Sequence, residues 1–147
     1  MKKGHGPISV RMARTRGDLE RAFSVREEVF IKGQRVPRGI EMDGREGEAR
    51  HFLAYYRGRL AGCARIRFMG KRAKLERIAV LGRYRKRGLG KAITAHMVRY
   101  ARRQGAKEAL MHAQCHAGSF YEKCGFTPRG GIFLEAGMEH RKMIKKL

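Results

Sequence analysis

Between Leu75 and Gln104 the chain sets an apolar run, a basic turn with two glycines and an amphipathic segment in direct succession. Leu75, Ile78, Ala79, Val80 and Leu81 suit a buried strand. Arg83, Arg85, Lys86 and Arg87 then lead into Gly88 and Gly90, and from Leu89 onward Ile93, Met97, Tyr100 and Ala101 recur at helical spacing. A helix that begins at such a turn presents unpaired backbone N–H groups and the positive end of its dipole, and glycine lets an anion approach the backbone closely. The chemistry open to this stretch is therefore the binding of a phosphorylated ligand. Two well-known glycine loops do not fit. A P-loop needs Lys followed by Ser or Thr after its last glycine, where this chain has Lys91 and Ala92. A dinucleotide fingerprint needs Gly or Ala three residues beyond Gly90, where it has Ile93.

Arg85-Lys86-Arg87-Gly88-Leu89-Gly90 fits the pattern Arg/Gln-x-x-Gly-x-Gly/Ala. It closely resembles the acyl-CoA-binding motif of the GNAT N-acetyltransferases, whose loop cradles the coenzyme A pyrophosphate. Taken alone, the same residues suit a basic turn that caps a surface helix. A second stretch bears on the choice. Ala117-Gly118-Ser119-Phe120-Tyr121-Glu122-Lys123-Cys124-Gly125-Phe126 matches Ala-x-x-x-Tyr-x-x-x-Gly-Phe, the signature that follows the fifth strand in that family. Both motifs fall on the expected elements at the expected separation, so the resemblance covers about the whole chain. It implies an acetyl-CoA-dependent N-acetyltransferase that passes acetyl directly to the primary amine of a small molecule, with acetyl-CoA as donor and no metal.

Transfer of acetyl from a thioester to an amine needs a neutral nucleophile, stabilised oxyanion charge and a proton for the departing thiolate. By resemblance Tyr121 supplies that proton, a task open to a phenol because tyrosine (~10) and thiol (~8.5) titrate near each other; the ordinary alternative is a core tyrosine. The end of the chain, Glu139-His140-Arg141-Lys142-Met143, resembles the glyphosate N-acetyltransferase subgroup, in which the histidine of His-x-x-Met is the general base. His140 is the matching position, and an imidazole can accept a proton near neutral pH. Glu76 is the other candidate, because many family members use a carboxylate on that strand. The backbone of Ile78, Ala79 and Val80 is expected to take the pantetheine arm, the loop from Arg85 to Gly90 with Lys91 the pyrophosphate, and Gln114 the place where relatives carry an asparagine that touches the coenzyme. Where glyphosate-acting relatives grip an anionic substrate with arginines, this chain has Ile31, Glu76 and Gln114. Acidic Glu41, Asp43 and Glu76 suggest instead an amine with a cationic neighbour, although Glu41 and Asp43 equally fit a solvated turn that pairs with nearby arginines.

These residues need a scaffold. Ile8, Val10 and Met12 alternate as a first strand. Thr15 with Asp18 has capping-box spacing ahead of a helix carrying Leu19, Ala22, Phe23, Val29 and Phe30. Lys32 to Arg50 reads as a loop, broken by Gly33, Pro37, Gly39, Gly44 and Gly47. Phe52–Tyr56 and Leu60–Phe68 flank a glycine-centred link and predict a hairpin, extended by Leu75–Leu81 into a meander. After the long helix, which Gly105 would end, come a strand at Ala109–Ala113, a short helix at Ala117–Lys123, and strands at Phe133–Ala136 and Glu139–Ile144. The order β-α-β-β-β-α-β-α-β-β predicts an α/β fold in which a mixed, mostly antiparallel central sheet is flanked by helices, as in the GNAT family, with residues 1–147 forming one domain.

Composition limits the alternatives. No run of about 18 apolar residues could span a membrane, and the Met-Lys-Lys start has no apolar stretch behind it like a secretory signal, so the expectation is a cytoplasmic protein without a membrane partner. Cys63, Cys115 and Cys124 have no framework spacing and read as reduced thiols. His112, Cys115, His116 and Cys124 lack the paired spacing of closed zinc sites. The 35 Lys and Arg against 13 Asp and Glu give a net charge of +22, more than one coenzyme requires. A polyanion such as RNA or the ribosome would explain the excess, but the charges, Lys2-Lys3 among them, are scattered and no RNP or zinc-finger motif accompanies them, which favours a solvated surface. A macromolecular amine (a protein N-terminus, a lysine or an aminoacyl-tRNA), a basic nucleic-acid-binding module with a vestigial coenzyme site, and assembly as a homodimer stay open.

Overall fold

Alternating apolar residues make the two faces of one sheet, and each face buries against a different helix. The computed structural model describes residues 6–147, so Met1, Lys2 and Lys3 lie outside the described residues. Its elements are β1 (Ile8–Met12), α1 (Arg16–Arg26), α2 (Arg38–Glu41), β2 (Arg50–Tyr56), β3 (Arg59–Met69), β4 (Arg72–Val80), α3 (Leu89–Arg103), β5 (Glu108–Gln114), α4 (Gly118–Lys123), β6 (Thr127–Glu135) and β7 (Met138–Lys146). Seven strands form one sheet in the order β1-β2-β3-β4-β5-β7-β6, antiparallel throughout except where β4 meets β5. This is the mixed, mostly antiparallel α/β arrangement expected from the sequence. Phe52, Ala54, Ala64 and Ile66 pack on one face with Ile93, Met97 and Ala101 of α3, while Leu53, Cys63 and Ala79 face Ala22 and Val25 of α1 on the other.

Local chemistry sets the boundaries. Thr15 and Asp18 close both bonds of the capping box at the start of α1. Both α3 and α4 end in a glycine at positive φ, with the following residue reaching back: Gly105 and Ala106 bond to Arg102 and Ala101, and Gly125 and Phe126 bond to Glu122 and Tyr121. This is the Schellman pattern, and it explains why glycine then phenylalanine follow Tyr121 at that spacing. The β2–β3 and β6–β7 hairpins turn on Arg57-Gly58 and Ala136-Gly137, both residues of each pair having positive φ as a type I′ turn requires.

Three stretches differ from the sequence expectation. Helix α1 runs on into a π-helical segment, Glu27–Gly33, whose wider turn carries Val29, Phe30 and Gln34 toward the cleft described below. The expected loop contains α2 and a 3₁₀ turn at Glu46–Glu48. Strand β6 starts at Thr127, well ahead of Phe133, because a register shift between Arg129 and Ile132, at Gly130 and Gly131, hides the period-two pattern of this edge strand.

Two irregularities of the sheet make room for a site. Cys63 pairs with Ala79 but Arg65 pairs with Glu76, so β4 carries one residue too many, and Arg77 absorbs it with φ at 55°. Strand β4 then pairs with β5 only through Arg72, Ala73 and Lys74, and beyond that point the two parallel strands part. The bulge brings β4 so close to β3 that a Cβ on Gly62 would lie 2.7 Å from the Ala79 carbonyl oxygen.

Gly62→Ala is therefore expected to lower unfolding stability by about 1–3 kcal/mol. Gly39→Ala, where a Cβ meets nothing within 4 Å, should stay within about 0.5 kcal/mol of wild type in the same denaturant titration. Equal midpoints for the two variants would contradict the crowding at the bulge.

Candidate active site

The parted ends of β4 and β5 bound a cleft of about 600 Å³. On its β4 side the edge of Leu75–Val80 that faces β5 has no strand partner among the described residues, so Ile78, Ala79 and Val80 offer backbone to an extended ligand. The glycine loop follows the end of β4, and its Arg85 lines the cleft. Arg85 has φ −69°, Lys86 +62° and Gly88 +88°, and such changes of hand turn neighbouring N–H groups toward one side. The first intrahelical bond of α3 runs from Ala92 to Gly88, and no side chain caps this end, which leaves the amides of Leu89, Gly90 and Lys91 without helical acceptors. Gly90 is glycine for a packing reason, because a Cβ there would meet the Phe120 ring at 3.2 Å. Arg85, Lys86, Arg87 and Lys91 surround the loop, exposed, and no Asp or Glu occurs from Arg83 to Lys107. Arg85 donates from Nε to the Val80 carbonyl at 3.1 Å, tying the loop to the strand end.

Tyr121 and His140 both line the cleft. Tyr121 comes from α4 and packs edge-on to Phe120 and Phe126. Burial, with a smaller contribution from Cys124, pushes its phenol up to about 12, so it keeps its proton at neutral pH. His140 comes from β7, is 5 % exposed and stacks on Phe133. Its Nδ1 lies 2.9 Å from the Met138 carbonyl oxygen. A carbonyl can only accept, so Nδ1 carries the hydrogen and the neutral ring keeps its lone pair on Nε2. Gln114, cross-strand from His140, exchanges amide bonds with Gln34 at the end of the π-helical segment and accepts from His116 Nε2 at 2.7 Å.

The acidic residues have partners of their own. Fully buried Arg65 donates Nε to Glu76 at 2.9 Å and both terminal nitrogens to Asp43 at 3.0 and 2.6 Å. Arg67 grips Glu76 with two bonds at 2.8 and 3.0 Å, and Lys74 lies 3.2 Å away. Arg26, also buried, bonds to Glu41 at 2.7 Å and Glu46 at 3.0 Å, and Arg77 spans Glu41 and Asp43. Burial alone would raise the Glu76 carboxyl, but the Arg67 bonds and the charges of Arg65 and Lys74 bring it down to about 2. Partial burial of Asp43 is likewise outweighed, by Arg65 and its other donors, and its carboxyl lies well below the usual range. Burial pushes Glu41 up against the pull of Arg26 and Arg77. Glu41, Asp43 and Glu76, expected to face a cationic acceptor, all line the cleft, and each is already paired with cations. They do pair with arginines, as the other reading had it, but Glu41, 3 % exposed, is not in a solvated turn.

Of the cleft residues His112 and Glu135, the sequence singled out only His112, and only within a set that lacks zinc spacing. His112 Nδ1 bonds to Glu135 at 2.8 Å, and its ring meets Phe133 edge-on. The register explains the grouping: Gln114 pairs with His140, His140 with Phe133 and Met138 with Glu135, so side chains two apart on β5, β7 and β6 share one face. The two-residue turn at Ala136-Gly137 was the available signal, since it fixes that register. Among the described residues no three His, Cys, Asp or Glu side chains come together to hold a metal; His112 turns to Glu135.

Glu76 has a pH signature. Its folded pKa is depressed from 4.5 to about 2, so its stabilisation is full above about pH 4.5 and lost as pH falls toward 2, an effect of order 3 kcal/mol. Glu76→Gln, which leaves Arg65 and Arg67 short of a counter-charge, should cost about 3–5 kcal/mol at pH 7, and the gap to wild type should narrow below about pH 4.5. Wild-type stability with activity abolished would instead mark Glu76 as the base.

The family profile of the GNAT acetyltransferase domain matches residues 18–147. A Bacillus subtilis (strain 168) protein named as an acetyltransferase is 37 % identical over 142 residues, covering 95 % of this chain and 97 % of its own, and the N-acetyltransferase YjcF of the same strain is 38 % identical over 135 residues, covering 91 % and 96 %. A Lactobacillus plantarum structure named as an N-acetyltransferase superposes with a TM-score of 0.89 at 19 % identity, over 97 % of this chain and 99 % of that one, a likeness of fold. The match of family and relatives along nearly the whole chain, on a sheet that parts where an acyl carrier would enter, makes this protein a member of the GNAT family and an acetyl-CoA-dependent N-acetyltransferase.

Proposed function

We propose that residues 1–147 act as one acyltransferase domain that moves acetyl from acetyl-CoA directly to the primary amine of a small molecule. The observation that carries this reading is one cleft lined by the β4 edge at Ile78 to Val80, a protonated Tyr121, a buried His140 and, from the loop that leads into the uncapped α3 terminus, Arg85. Its volume, about 600 Å³, suits a small acceptor beside a coenzyme arm. Free Cys63, Cys115 and Cys124 fit a reducing, cytoplasmic setting, and among the described residues no helix is long and apolar enough to cross a membrane.

The residues present fit the coenzyme. The amides of Gly88 to Lys91 and the cations of Arg85, Lys86, Arg87 and Lys91 suit a diphosphate, and the acid-free stretch from Arg83 to Lys107 favours approach of an anionic carrier. Ile78, Ala79 and Val80 would pair with an amide-bearing arm as a strand does, with Gln114 across the wedge. Bound acetyl-CoA supplies an acyl group activated as a thioester. His140 Nε2 accepts the proton lost by the amine as its nitrogen bonds to the acyl carbon. Tyr121 Oη gives its proton to the sulfur as the C–S bond breaks, and solvent restores both groups. Glu76, held by Arg65, Arg67 and Lys74 and depressed to about 2, is a poor proton acceptor, which favours His140 for the base role.

Tyr121→Phe and His140→Gln are each expected to lower kcat by about 10²–10⁴ while calorimetry shows acetyl-CoA affinity within a few-fold of wild type. Retention of kcat within a few-fold in either variant would remove that residue from the mechanism.

A further inference from the structure

Four carboxylates line the cleft: Glu41, Asp43, Glu76 and Glu135. Arginines hold the first three. Glu135 is different. Among the described residues its only ion-pair partner is His112, its side chain keeps 42 % of its exposure, and Lys74 across the wedge bonds to Glu76 instead. The His112 bond comes first among the causes that lower its carboxyl, so Glu135 is ionised at neutral pH. That bond also fixes one carboxylate oxygen and leaves the other free to accept.

Position gives this charge a use. Glu135 and Phe133 lie on the same face of β6, and Phe133 sits cross-strand from His140 with its ring stacked on that imidazole and edge-on to His112. An aromatic face beside a lone carboxylate attracts an alkylammonium. Phe30, Val36 and Ile40 add apolar lining to the same cleft. Glu135 and His140 are diagonal neighbours across the β6–β7 pair, their positions roughly 7–8 Å apart.

We propose that Glu135, oriented by His112, receives a second ammonium group of the acceptor, so that the preferred substrates are diamines or polyamines whose reacting amine lies at His140. The short diagonal between the two positions suits a short-chain diamine. This rests on the N-acetyltransferase reading above and moves the cation-recognising role from Glu41, Asp43 and Glu76 to a carboxylate that, among the described residues, no arginine or lysine bonds.

The test compares kcat/KM for 1,4-diaminobutane and 1-aminobutane at saturating acetyl-CoA in wild type, Glu135→Gln and His112→Ala, with calorimetric titration of each amine into the protein as a second readout. Wild type should prefer the diamine at least tenfold. Glu135→Gln should reduce that preference by about ten- to a hundredfold, mainly through KM and with matching loss of diamine binding, and His112→Ala should fall between. Equal use of both amines by wild type, or a preference intact in Glu135→Gln, overturns this inference and leaves the acetyltransferase reading standing. Failure to acetylate either amine, or any wider set of small amines, while acetyl-CoA still binds, overturns both.

Discussion

A guanidinium that loses its water must find carboxylates, and Arg65 is the group on which this molecule turns. It is fully buried in β3 and reaches Glu76 on β4 and Asp43 beyond α2. Arg26, buried in α1, does the same for Glu41 and Glu46. Replacing such pairs by hydrocarbon would often cost little, but removing one partner is expensive. Their value here is register. The extra residue of β4 at Arg77 is pinned between two anchored neighbours, since Arg77 itself spans Glu41 and Asp43. A bulge fixed in this way sets where β4 leaves β5.

The same network sorts charge from chemistry. In a chain with 35 basic residues against 13 acidic ones, five carboxylates, Glu41, Asp43, Glu46, Glu48 and Glu76, gather around Arg26, Arg65, Arg67 and Arg77. The surplus of positive charge is left to the surface and the glycine loop. Tyr121 and His140 stand apart from the network, among Phe120, Phe126 and Phe133, where burial holds a phenol protonated and a backbone carbonyl fixes an imidazole tautomer. The protonation of the phenol and the tautomer of the imidazole are thereby set by local surroundings rather than by the strong field of the arginines.

What the sequence revealed was local. The glycine turn is readable because Gly88 must adopt a left-handed backbone and Gly90 must leave space for Phe120. The second motif is readable because Gly125 and Phe126 close α4 under Tyr121. Hairpins announce themselves through Arg57-Gly58, and strands through period two. What stayed hidden was the choice of partners at long range. Nothing near Glu76 or Asp43 says that Arg65, 11 and 22 residues away, takes their charge, and a carboxylate read without its partner looks like a cation site. Glu135 escaped notice for the opposite reason: its meaning depends on a cross-strand register that only the β6–β7 turn fixes, and Gly130 and Gly131 obscure where β6 begins.

All of this rests on the wedge between β4 and β5 being an entrance for an acyl carrier rather than a packing fault. A crystal structure of the protein with coenzyme A tests that most directly. The expected result has the diphosphate on the amides of Gly88 to Lys91, the pantetheine chain paired along Ile78 to Val80, and the sulfur beside Tyr121. Coenzyme bound elsewhere, or a wedge closed by continued pairing of β4 with β5, would contradict it.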